Sequence, residues 1–335
     1  MPRTVTLLIA AAVLVVAGCG GASSSDPTQT VPKAGGLQQR IRTASAPQRS
    51  TFPQVKARSL QQVADSVGPS GASVALASSQ VDVGSNRLAF GVIDSQGQPV
   101  YGPTAVYVAP KPGKRAAGPF LAPADVLLTQ PRYRSKQAAL GSDPFAAVYA
   151  AQVPFPRAGK WYVLVITQHD GKLSASTSRV DVSPDGADPI PRVGQRAPKV
   201  KTDTMADARG NIANIDTRIP PDDMHKVSFA DVVGKKPVAL LFSTPQLCQS
   251  RVCGPVTDIA VQMEAKYGRR MTFIHEEVYK DNNPAKGLRE PLVQFHLRSE
   301  PWLFVVNRKG IITARLEGSI GVKAFEAAVK SGLAG

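Results

Sequence analysis

The sequence predicts a mixed protein, an antiparallel β-sandwich followed by a smaller α/β unit. Three observations predict it. Between about residues 60 and 185, apolar residues alternate with a period of two and turn residues separate the runs, which marks short antiparallel strands. From Val238 onward, short apolar runs alternate with stretches of helical spacing, which marks strands interleaved with helices. Two cysteines, Cys248 and Cys253, fall at the junction between the first of those strands and the first of those helices.

Residues 1–19 read as a targeting segment. Arg3 precedes an apolar stretch from Val5 to Val16 that is too short to span a bilayer, and small residues follow. Val16-Ala17-Gly18-Cys19 resembles the bacterial lipobox, and that resemblance implies a cleaved leader and a lipid-bearing Cys19. The expected location is extracytoplasmic, with the chain anchored to the bacterial cell membrane through that lipid. Residues 20–59 are rich in Ser, Thr, Gln, Gly and Pro and lack an apolar period, so a disordered tether is expected there.

In residues 60–185 six runs read as strands: Ser73 to Ala77, Arg87 to Asp94, Val100 to Val108, Ala146 to Val153, Trp161 to Thr167 and Leu173 to Val182. The Asp170-Gly171 pair signals a tight hairpin. Trp161 to Ile166 is apolar on both faces, as in a strand inside a sandwich. Six or seven short strands without cysteines predict an immunoglobulin-like sandwich, a spacer or docking module without a catalytic pattern. Residues 186–200 are Pro-rich and predict a semi-rigid linker.

The chain has 335 residues, 43% of them apolar, and a formal net charge of +15. That length holds two ordinary domains. Its basic residues are scattered and not grouped on one element with aromatics, which excludes a nucleic-acid binder and leaves attraction to anionic lipid surfaces. Of the three cysteines, lipidation takes one, and an even pair remains for an oxidising compartment.

Residues 201–335 predict the order strand (Val238–Phe242), helix (Pro255–Tyr267), strand (Met271–Val278), helix (about 289–297), strand (Trp302–Asn307), strand (Ile311–Glu317) and helix (Gly321–Ser331). Pro255 suits the first helical position, and Gly268 closes the helix. Thiols at a helix N-terminus ionise more readily, because free backbone N–H groups and the helix dipole favour the thiolate. Arg251 between the cysteines adds positive charge. A second sulfur nearby resolves a mixed disulfide, so such a pair can cycle between dithiol and disulfide.

This element order, the cysteine pair after the first core strand, Gly254-Pro255 beside it and Ser299-Glu300-Pro301-Trp302 before the third strand together resemble the thioredoxin superfamily. The likeness is to its membrane-tethered extracytoplasmic thiol–disulfide oxidoreductases, and it covers roughly residues 195–332. It implies a cis Pro301 facing the sulfurs and a substrate-binding main chain at Glu300. Four residues separate the cysteines where the family has two, and Gly254-Pro255 follows the second cysteine. Counting from Phe242 makes Cys248 the nucleophile; matching Cys-Gly-Pro makes it Cys253. The buried acid that the family keeps near its cysteines is missing from Val238–Phe242.

Parallel strands end along one sheet edge, so His275, Glu276 and Glu277 should lie on the side of the cysteine loop. They and His296 are candidate proton relays, against the plainer expectation of strand-end groups in contact with water. The reading calls for no cofactor and no metal ligand set. Its partners would be exported proteins carrying thiols or disulfides and a thiol protein that donates or accepts electrons. Two other functions compete. One is a copper metallochaperone using both thiolates with His275 or His296; the other is a non-catalytic surface protein with a structural disulfide.

Overall fold

The computed structural model describes residues 26–68, 71–136, 145–248 and 252–335. Cys19 and the apolar stretch before it lie outside the described residues, as does Arg251. Among the described residues no helix is long and apolar enough to cross a membrane.

The amino-terminal half holds two four-stranded antiparallel sheets. One has the order β1 (Ser73–Leu76), β2 (Gly84–Ile93), β6 (Ala147–Phe155), β5 (Ala124–Val126). The other has the order β4 (Ala117–Leu121), β3 (Thr104–Ala109), β7 (Gly159–His169), β8 (Lys172–Val182). Alternation explains the packing: Val163 and Val165 of β7 enter a core with Phe90, Val106 and Phe155, while Leu164 and Ile166 point to the opposite face. Strands β4 and β5 escaped the period-two reading because they are short and Gly118-Pro119 interrupts the first. The β7–β8 hairpin turns at Asp170 and Gly171, with φ values of 48° and 76°. Both central residues are left-handed, as a type I′ turn requires.

Residues 26–58, expected as a disordered tether, are packed. Helix α1 (Leu37–Ala44) and Val31 send Ile41, Ala44 and Val31 into the sandwich core, and the Ser45 hydroxyl donates to the Ala124 carbonyl at 2.8 Å. Phe52 and Val55 join Leu60 and Val63 of helix α2 (Leu60–Asp65) over the outer face of β3 and β7. A polar segment cannot build a core of its own, but its few apolar residues can complete one that a neighbouring sheet leaves open.

The expected linker at 186–200 is also docked. The Gly194 N–H donates to the Ile312 carbonyl and the Ala197 N–H to the Gly310 carbonyl, both at 2.9 Å, while Ile190, Ala197 and Val200 are buried. Proline restricts the chain without keeping it from lying along a sheet edge.

The carboxy-terminal sheet has the order β10 (Thr272–Glu276), β9 (Val238–Phe242), β11 (Trp302–Val306), β12 (Ile312–Glu317). Strands β9 and β10 are parallel, and β11 runs antiparallel to both β9 and β12. Helices α4 (Cys253–Tyr267) and α6 (Val322–Ala334) cover one face through Val256, Ile259, Phe325 and Val329. The other face packs Phe242 and Phe304 against Phe295 beyond helix α5 (Glu290–Gln294) and Phe229 of the one-turn helix α3 (Phe229–Val232). The sheet is buried on both faces, which explains the unbroken apolar runs of β9 and β11. The α4–α6 layer also takes in Ala89, Leu127 and Val148 of the sandwich, so the two halves share a core.

Candidate functional site

Strand β9 ends at Phe242, and the loop after it leads into α4, whose first residue is Cys253. Cys248 and Cys253 are joined as a disulfide with Cα atoms 6.0 Å apart. The two sulfurs sit in different environments: Cys253 is fully buried, whereas Cys248 in the loop is half-buried. Pro255 is the third residue of α4 and not the first; first-turn N–H groups lack helical partners, so its missing donor still costs nothing. Gly268 follows the helix in a right-handed conformation, φ −58°, so it acts as a cap without the left-handed turn expected of it.

The Cys253 carbonyl accepts the Thr257 hydroxyl at 2.9 Å and the Ser243 hydroxyl at 3.3 Å. These bonds tie the helix start to the end of β9.

Glu300–Pro301 is a cis peptide. Trp302 pairs with Phe242 in an antiparallel register, which places Pro301 beside the residue that follows Phe242, at the mouth of the cysteine loop. A cavity of about 400 Å³ opens there, lined by Val252, Ser299 and Glu300 on one side and by Ala75 and Leu76 of β1 on the other. Burial raises the Glu300 carboxyl above its ordinary range.

His275, Glu276 and Glu277 do reach the carboxyl end of β10, but they are sealed from water, with exposures of 0%, 1% and 1%. The expectation of solvated strand-end groups is therefore corrected. The cause is the segment from Thr202 to His225, which folds over this edge and supplies donors. The Asp203 N–H donates to Glu276 at 2.8 Å, and the Thr217 N–H and hydroxyl donate to Glu277 at 2.7 and 2.6 Å. Burial, with Asp203 beside it, pushes the Glu276 carboxyl up to about 8.

His275 is committed at both nitrogens. Its Nδ1 lies 2.9 Å from Asp222 Oδ2, and its Nε2 lies 3.1 Å from the Ser243 carbonyl oxygen. Burial works against a charged imidazole, but Asp222 and Asp216 outweigh it and hold His275 up to about 10. Burial likewise opposes the charge on Asp222, yet His275 brings that carboxyl down to about 2.

Both ring nitrogens of His275 are thus taken by Asp222 and the Ser243 carbonyl. His296 is exposed with φ 57°, just past α5.

Sequence reasoning missed the residues that meet His275: Asp216, Asp222 and His225. They lie in a stretch without helical or strand periodicity. The available signal was the spacing Asp-x5-Asp-x2-His in a chain with four histidines.

No family model matches the chain, and no curated protein matches it. Among solved structures, it is similar to a protein assigned as the thiol:disulfide interchange protein DsbE of Chlorobium tepidum, at 17% identity over 43% of this chain and 99% of that one, with a TM-score of 0.31. A thioredoxin-family thiol:disulfide interchange protein from Chlorobium tepidum TLS gives 18% identity over 42% of this chain and 97% of that one, with a TM-score of 0.30. What assigns the architecture is the chain's own strand order, with a parallel β9–β10 pair crossed by α4 and an antiparallel β11–β12 pair closed by α6. The carboxy-terminal part of the chain is a thioredoxin-like α/β unit, and it carries a Cys-x4-Cys pair where its first helix begins.

Proposed function

We propose that the chain is a lipid-anchored extracytoplasmic thiol–disulfide oxidoreductase acting on exported proteins, with Cys248 attacking and Cys253 resolving. The observation that carries this reading is the asymmetry of the pair: Cys248 half-buried in the loop after β9, Cys253 fully buried at the start of α4. In the reduced form the Cys248 thiolate attacks a substrate disulfide, forming a mixed disulfide and releasing one substrate thiolate. The Cys253 thiolate then attacks Cys248 Sγ and releases the second substrate thiolate, so two electrons pass to the substrate and the pair is left oxidised. A thiol protein outside the membrane restores the dithiol. Run backwards, the same steps oxidise a substrate dithiol, and the pair's reduction potential selects the direction.

Helix α4 supports the reaction by directing its free N–H groups and positive end at the sulfurs, which favours the thiolate form. The Glu300 main chain beside Pro301 would hold an extended substrate segment. The sandwich, read as immunoglobulin-like, would serve as a docking module. Cys19 would carry the lipid.

The test is the reduction potential of the purified chain together with single cysteine variants. We expect a potential above the roughly −300 mV below which structural disulfides lie. Cys248→Ser should abolish reduction of a model protein disulfide, and Cys253→Ser should trap mixed disulfides at Cys248. A lower potential with no trapped species in either variant would leave a structural disulfide in its place.

A further inference from the structure

We infer that Asp216, Asp222, His225 and His275 form a closed binding site for a divalent transition-metal ion of the zinc type, distinct from the cysteine pair. Their side chains are between 0% and 1% exposed, and one donor atom from each lies within 4.8 Å of every other. Four nitrogen–oxygen separations define the cluster. His225 Nε2 is 3.5 Å from Asp216 Oδ2 and 3.4 Å from Asp222 Oδ1; His275 Nδ1 is 4.0 Å from Asp216 Oδ1 and 2.9 Å from Asp222 Oδ2. Donors held about 2.0–2.1 Å from a tetrahedral zinc lie about 3.3 Å apart, and these separations bracket that value.

Three further features fit a ligand set. His225 is buried, and neither of its ring nitrogens makes a hydrogen bond. Leaving such a ring unpaired is costly unless its lone pair has another use. The remaining ligands are already oriented by backbone groups, as metal ligands are oriented by outer partners. His275 Nε2 faces the Ser243 carbonyl at 3.1 Å, and Nδ1 is turned to the cluster, where an ion would displace its proton from the contact with Asp222. Asp216 accepts the N–H groups of Arg218 and Asp222, both at 2.7 Å, and Asp222 accepts that of Met224 at 3.0 Å. Finally, with an ion bound both imidazoles would be neutral, and the two carboxylate charges would balance a divalent ion.

Two imidazoles and two carboxylates with no thiolate suit a borderline ion such as Zn(II) better than a soft one such as Cu(I). The burial of all four side chains leaves no open position for water, which describes a structural site. Three ligands come from the irregular segment before α3 and one from β10. The ion would staple that segment to the sheet, where the His275 N–H already donates to the Met224 carbonyl at 3.2 Å.

The test uses the full chain, stripped with a chelator, reloaded with zinc sulfate and desalted. We expect a single zinc per chain by atomic emission and a higher melting temperature in the loaded form. Cobalt loading should give tetrahedral visible bands without a thiolate charge-transfer band. The Cys248→Ser/Cys253→Ser double variant should keep full zinc occupancy. Asp216→Asn and His225→Gln should each weaken zinc binding by more than the roughly 10–100-fold that loss of an outer partner costs.

Failure of the stripped wild-type chain to take up stoichiometric zinc or cobalt would overturn the inference, whatever the folding of the variants. So would occupancy that disappears in the cysteine double variant and survives in His225→Gln. Neither result bears on the redox reading, which is tested at the cysteines.

Discussion

Thr257 shows how the cysteine loop is held at the level of single atoms. Its hydroxyl lies 2.9 Å from both the Ser243 Oγ and the Cys253 carbonyl oxygen, inside a fully buried turn of α4. Thr257→Val keeps the shape and removes the donor, so we expect a loss of about 1 kcal/mol in urea denaturation, with the disulfide still formed. A second buried contact predicts a larger effect. Arg218 Nε donates to Asp258 at 3.0 Å, with side-chain exposures of 5% and 1%. Asp258→Ala strands the guanidinium without its counter-charge, and denaturation should show a cost of about 3–5 kcal/mol.

Helix α6 is fastened along its first two turns by groups from other elements. Its N-cap residue Gly321 offers no side chain, and Asp125 of β5 takes that role: its carboxylate accepts the N–H groups of Lys323 at 2.9 Å and Ala324 at 2.8 Å. Asp125→Ala should therefore cost about 1–2 kcal/mol, as loss of a cap does, measurable as a lower denaturation midpoint.

Farther along, Glu326 accepts Lys266 at 2.8 Å and Tyr267 at 2.5 Å, both from α4. Burial alone would raise its carboxyl, but Lys266, Tyr267 and Lys330 bring it down to about 2 from an ordinary value of 4.5. A depressed folded pKa contributes stability that is present above the unfolded value and lost as pH falls toward the folded one. Between pH 4.5 and about 2 the wild-type melting temperature should accordingly fall more steeply than that of Glu326→Gln.

The whole molecule is a sandwich and a thioredoxin-like unit that share a core along the α4–α6 face. Glu317 at the end of β12 is the clasp: it accepts the N–H groups of Ser79 at 3.1 Å and Gln80 at 3.0 Å from the sandwich, and the Ser299 hydroxyl at 2.7 Å from beside Pro301. The next residue, Gly318, has φ 72°, and a Cβ there would stand 1.7 Å from the Ala77 carbonyl oxygen. Gly318→Ala should cost more than the roughly 1–2 kcal/mol of a left-handed conformation alone. Limited proteolysis should then open the loop between β1 and β2, because only backbone displacement relieves the clash. The same juxtaposition makes β1 a wall of the cavity beside Glu300. On the redox reading, a substrate segment would meet both halves of the chain at once.

The sequence by itself determined the strand-and-helix order after Val238 and six of the strands before residue 185, because buried strands and amphipathic helices write their periods directly into the chain. It also placed the two sulfurs at the junction of β9 and α4, since an apolar run followed by helical spacing has one reading. Short strands such as β4, the docking of residues 26–58, and the meeting of Asp216, Asp222 and His225 with His275 were decided only in three dimensions. Each depends on a surface supplied by residues distant in the chain, and local patterning records what a segment can bury of itself, not what another part of the molecule will bury for it.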